Sequence, residues 1–131
     1  MIQQPDKVVD ELYQILERLA LAPQAQIDYL RNLGVAPLAD ELALEFHDLH
    51  LLVPQLAAQR VLTHQQRAAI DAVSRQLDAM SAREDTSLWM EDALRRYPDW
   101  VEVRRLAAIA AKVLYGSRVG GLRHRAMALM K

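Results

Sequence analysis

The sequence predicts an all-α domain: a single compact antiparallel bundle of about five to six helices with a short C-terminal helical tail. Three observations carry this. Leu and Ala, both strong helix formers, supply much of a hydrophobic fraction of 52%, while aromatic residues make up 5%. Only 4 Gly occur in 131 residues, too few to turn a many-stranded sheet. Apolar residues also recur with a helical period along most of the chain instead of alternating.

The elements follow in order. A first helix is expected from Pro5 to Leu21, with Val8, Val9, Leu12, Ile15, Leu16 and Leu19 as one stripe. Pro5 suits a first turn, Asp6 complements the dipole, and Pro23 ends the run. A short second helix spans Pro23 to Leu33 on Ile27, Leu30 and Leu33, and Gly34 stands where a left-handed cap is wanted. The third runs from Leu38 to Leu52, with Leu42, Phe46, Leu49, Val53 and Leu56 on one face. Pro54 kinks or breaks it, since proline removes a hydrogen bond and clashes with the preceding turn.

Thr63-His64-Gln65-Gln66 reads as a capping box opening a fourth helix, whose stripe is Ile70, Val73, Leu77 and Met80. A fifth is expected from Ser87 to Arg96. A sixth opens at Asp99 with Glu102 three residues on and stops at Gly116. These elements make residues 1–116 the bundle and residues 117–131 a basic tail, in which Gly120-Gly121 is read as a flexible joint and Leu122 to Met130 as a short docked helix beyond it.

The same residues narrow the chemistry. With 0 Cys the chain has no disulfide, no thiolate ligand and no cysteine nucleophile, which fits a cytoplasmic protein. The first residues lack the basic start and apolar run of a signal peptide, and no apolar stretch approaches the ~20 residues that span a bilayer. No phosphate-binding, dinucleotide-binding or nucleophile-elbow motif is present. The adjacent carboxylates Asp10-Glu11, Asp40-Glu41, Glu84-Asp85 and Glu91-Asp92 point in different directions from a helix. General acid–base work needs one carboxyl in an apolar pocket instead. Trp89 and Trp100 are read as core, with a binding hot spot as the other reading.

Net charge is −1, but it is unevenly spread. Residues 1–59 hold 9 acidic and 3 basic side chains; residues 60–131 hold 8 acidic and 13 basic. Such a chain presents faces of opposite sign to partners. On the third helix Leu44 and Leu51 lie away from the main stripe, with His47 between them and Asp40 and Asp48 beside them. Either that helix is central and buried on two sides, or this face meets another protein.

The leading expectation is therefore a non-enzymatic protein-binding module of the bacterial cytoplasm, without cofactor, metal or membrane. It would be monomeric or homodimeric, and of the immunity or antitoxin kind. It would neutralise a toxin or other basic enzyme through the acidic half, with Asp40, Leu44, His47, Asp48 and Leu51 as contacts. Two other readings stay open. A nucleic-acid-binding or regulatory protein would act through Arg118, Arg123, His124 and Arg125 in the tail. A metalloprotein or enzyme would use His47 and His50, whose i, i+3 spacing places both imidazoles near one side of a helix, close to Glu41, Glu45 and Asp48.

Overall fold

The computed structural model describes residues 2–34 and 38–129, with side chains described as far as residue 116. Its elements are α1 (Pro5–Ala20), α2 (Pro23–Asn32), α3 (Asp40–His50), α4 (Val53–Ala58), α5 (His64–Ala82), a 3-10 turn (Thr86–Trp89), α6 (Ala93–Arg96) and α7 (Pro98–Leu129). Among the described residues there is no strand. None of these helices is long and apolar enough to cross a membrane.

Four helices close a ring. α7 packs most extensively on α5 and α1, α1 also meets α3, and α3 meets α5. Each brings its apolar stripe inward. Val9, Leu12, Leu16 and Leu19 of α1 are buried against Leu42 and Phe46 of α3 and Ile70, Val73, Leu77 and Met80 of α5. Trp100, Val103, Ala107, Ala110 and Leu114 of α7 complete the same core. α2 lies outside this ring and packs on α6.

The ends of the helices explain their lengths. Pro23 starts α2 in the first turn, where its missing N–H is not needed. Gly34 closes that helix at φ +75, the left-handed conformation expected of it, with its N–H donating to the Arg31 carbonyl at 3.2 Å. Pro54 breaks rather than kinks the third segment: α3 ends at His50, and α4 begins at Val53 with the proline in its first turn. The capping box at α5 is complete, since Gln66 N–H donates to Thr63 Oγ1 at 3.1 Å and Thr63 N–H donates to Gln66 Oε1 at 2.9 Å. Buried Gln26 donates to the Leu19 carbonyl at 2.9 Å and the Arg18 carbonyl at 3.2 Å, satisfying the last turn of α1.

The structure corrects four expectations. The helix expected over Ser87–Arg96 is a 3-10 turn and a separate short helix, with Met90 extended between them at ψ 154. The carbonyls of Leu88 and Trp89, which a continuous helix would bond internally, accept instead from Trp100 Nε1 and from the Ala39 N–H, each at 2.8 Å. No capping box forms at Asp99–Glu102. Pro98 already occupies the first turn of α7, Asp99 pairs with Arg83 at 2.6 Å, and Glu102 pairs with Arg105. Gly116 does not stop the helix, because α7 runs on past it and through Gly120-Gly121 to Leu129. Last, α3 is not buried on two sides: Leu44 is 51% and Leu51 61% exposed. The ring places α3 at the periphery, touching α1 and α5 on its inner side.

Candidate functional site

The outer side of α3 forms one wall of a groove. Its other walls are the end of α5 and the 3-10 turn with Met90. One section, of about 430 Å³, is lined by Leu38, Asp40, Ala43, Leu44, Ser81, Thr86, Trp89 and Met90. A second, of about 200 Å³, continues from Ala43, Leu44 and Ser81 towards Phe46, His47, Leu77 and Asp78. Among the described residues, two aspartates and one imidazole face this space, and no Lys or Arg lines either section. Leu38, Leu44 and Met90 are exposed at its edge, Met90 by 52%.

Local chemistry holds these walls. Asp85 accepts from Ser87 N–H at 3.0 Å and from Ser87 Oγ at 2.6 Å, which starts the 3-10 turn. These hydrogen bonds to Ser87 hold the Asp85 carboxyl below the usual aspartate range. Trp100 is fully buried, and the half-buried Trp89 meets it edge-on at 5.8 Å between ring centres. The core therefore braces Trp89 from behind, while part of its ring faces the groove.

Of the five contacts expected from the sequence, Asp40, Leu44 and His47 line the groove. Asp48 is exposed further along α3 and Leu51 just past its end, and neither lines either section. Leu38, Ser81, Thr86, Trp89 and Met90 were not among the expected contacts. Two large apolar residues in succession, Trp89-Met90, inside a polar loop are the signal that marks that wall.

The two histidines part company. His50 turns to α5, where its Nε2 lies 2.9 Å from Asp71 Oδ1 and Ser74 Oγ lies 3.5 Å from Nδ1; its ring stacks on Phe46. His47 is exposed on the groove side. Glu45, read as near them, faces the other way. It accepts from Arg18 Nη1 and from Tyr29 OH, each at 2.6 Å, and the Arg18 guanidinium lies 4.0 Å over the Tyr29 ring. Burial, together with the bond to Glu45, pushes the Tyr29 phenol up to about 12. Among the described residues no three His, Asp or Glu side chains gather as a metal-binding group. The neighbouring acids Glu91 and Asp92 are held separately, by Arg31 at 2.6 Å and Arg96 at 3.1 Å. The side chains of Arg118, Arg123, His124, Arg125 and Lys131 lie outside the described residues.

No family model matches the chain, and no curated protein or solved structure matches it.

Proposed function

We propose that this chain is a non-enzymatic protein-binding module of the bacterial cytoplasm, which neutralises a basic protein through the outer face of α3, as immunity and antitoxin proteins do. The observation that carries this reading is the groove itself: an exposed apolar surface with a carboxylate in each section, one wall of which, α3, comes from the net-negative half of the chain.

The acidic character survives folding. Two of the three basic residues in 1–59 are spent on internal pairs, Arg18 with Glu45 and Arg31 with Glu91. Asp6, Glu11, Glu17, Asp28 and Asp48 remain exposed. Net negative charge of this kind raises the encounter rate with a basic protein and repels an acidic one, and the apolar side chains of the groove then supply the slow dissociation.

The test is capture of a protein partner at low ionic strength, followed by kinetics on the purified pair. The reading expects a stoichiometric complex whose association rate falls steeply with added salt. It expects Leu44→Ser to raise the dissociation rate about tenfold or more, the usual effect of removing an apolar anchor. A complex indifferent to Leu44→Ser, Leu51→Ser and Asp48→Asn alike would show that α3 does not form the interface.

A further inference from the structure

We infer that the groove takes an α-helix of a particular kind: a basic amphipathic helix, laid with its apolar stripe on Leu44, Trp89 and Met90 and its cations against Asp40 and Asp78. This rests on the protein-binding reading above and specifies what the partner presents.

The backbone chemistry of the walls selects a helix. The groove is bounded by α3, α5 and the 3-10 turn, whose N–H and C=O groups are mostly committed to their own turns and to the Ala39–Trp89 and Trp100–Leu88 bonds. An extended peptide gains affinity by pairing its backbone with a free sheet edge, and the described residues contain no strand. Seated here, an extended segment would bury donors and acceptors with nothing to bond. A helix satisfies its own backbone and needs only an apolar channel.

The charge pattern selects its sign. Asp40 stands in the first section and Asp78 in the second, so a carboxylate marks each part of the groove. Among the described residues no Lys or Arg lines either section, and the nearby Arg83 is drawn away by Asp99. A helix with Lys or Arg flanking its apolar stripe meets both acids; one flanked by Glu meets the same two carboxylates as like charges, with Arg75 only beyond Asp78 on the far side of the second section. Met90, unbranched and exposed, suits a surface that adapts to a stripe of varied side chains.

The experiment uses the full chain and a synthetic helix of about 18 residues, five turns, with Leu at i, i+3, i+4 and i+7 and Lys elsewhere. Three comparison peptides accompany it: the same composition with the stripe scrambled, the same stripe with Glu for Lys, and a proline-interrupted version. Binding is measured by titration calorimetry against wild type, Leu44→Ser, Met90→Ser, Asp40→Asn/Asp78→Asn and the exposed α7 control Val101→Ser. The striped Lys helix is expected to bind at least tenfold tighter than each comparison peptide. Leu44→Ser and Met90→Ser are expected to weaken it about tenfold each, the double Asn variant to flatten its salt dependence, and Val101→Ser to change nothing. Equal binding of the scrambled or Glu peptide, or indifference to Leu44→Ser and Met90→Ser, overturns the inference.

Sedimentation velocity separates the remaining outcomes. A dimer that Leu44→Ser dissolves would mean a second copy fills the groove; a natural partner held on α3 through an acidic or extended segment would mean another occupant. Either result overturns the basic helix while leaving the protein-binding reading in place. Loss of that reading itself would show as a natural partner whose binding ignores every substitution on α3.

Discussion

The backbone N–H of Ala39 donates to the carbonyl of Trp89 at 2.8 Å, joining the turn that opens α3 to the 3-10 turn across the groove. Ala39 is fully buried, so this bond is shielded from water and the two walls are held in fixed register. Behind it, Trp100 donates to the Leu88 carbonyl and meets Trp89 edge-on. Trp100→Phe removes both the donor and part of the ring, leaving a carbonyl without its partner in a dry site. We expect a loss of about 2–4 kcal/mol in urea unfolding. The same variant should show faster amide exchange at Ala39, because the wall that accepts its bond is no longer braced.

Leucines on α3 and just past its end divide by face, with Leu49 half-buried between the two sides. Leu42 is buried against α1 and α5, whereas Leu44 and Leu51 point outward. Leu42→Ala should therefore cost about 2–5 kcal/mol, while Leu44→Ser and Leu51→Ser should each stay within about 0.5 kcal/mol of wild type. Thermal melts of the three variants check this directly. A large loss from Leu44→Ser would mean that this leucine serves the core rather than the surface.

How far the sequence could be read follows from what each feature depends on. The inward stripes of α1 and α5 were legible because burial on one side of a rod writes a period into the chain, and the residues named for them are buried or half-buried. Gly34 and Thr63 were legible because caps are local chemistry. The break at Met90 was not, because its causes are Ala39 and Trp100, donors remote from the turn that claim its carbonyls. Gly116 misled for the opposite reason: a glycine permits a left-handed stop without compelling one. Half of the groove was legible, since Leu44 breaks the period of its own helix. The Trp89–Met90 wall exists only through tertiary bonds, so no spacing in the sequence announces that it faces Leu44.

Two helices end on non-glycine residues in the left-handed region. Arg60 follows α4 at φ 59, and Glu84 follows α5 at φ 52. Both occupy the position where Gly is preferred, because an L side chain there crowds its own carbonyl at a cost of about 1–2 kcal/mol. Glu84→Gly relieves that strain but loosens the unfolded chain, which returns about 0.5–1 kcal/mol. The net expectation is a gain of roughly 0.5–1 kcal/mol, a rise in Tm of about 2–4 °C. The exposed helix-interior change Ala79→Gly should do the reverse, costing about 1 kcal/mol. Calorimetric scans of the two variants should move in opposite directions. A fall in Tm for both would show that Glu84 is not strained.

The Arg18–Glu45–Tyr29 cluster ties α1, α2 and α3 together and makes their union sensitive to alkali. Tyr29 ionises at about 12 in the folded chain, chiefly because burial disfavours the phenolate and also because its O–H donates a hydrogen bond to the Glu45 carboxylate. An unfolded tyrosine ionises near ~10. The folded pKa is the higher one, so the folded state favours the protonated phenol. That contribution is complete below pH ~10 and is lost as pH rises from there towards 12. Tyr29→Phe lacks both the bond and the ionisation. Wild type should exceed it by about 1–3 kcal/mol at pH 8, as for a hydrogen bond to a charged group, and the margin should close above pH ~10. Urea unfolding of both proteins between pH 8 and 11.5 measures the margin, and absorbance at the tyrosinate band follows the ionisation itself. Removing Tyr29 should delete a late-titrating component from that absorbance curve; a curve that loses an early component instead would place Tyr29 in water and the cluster out of register.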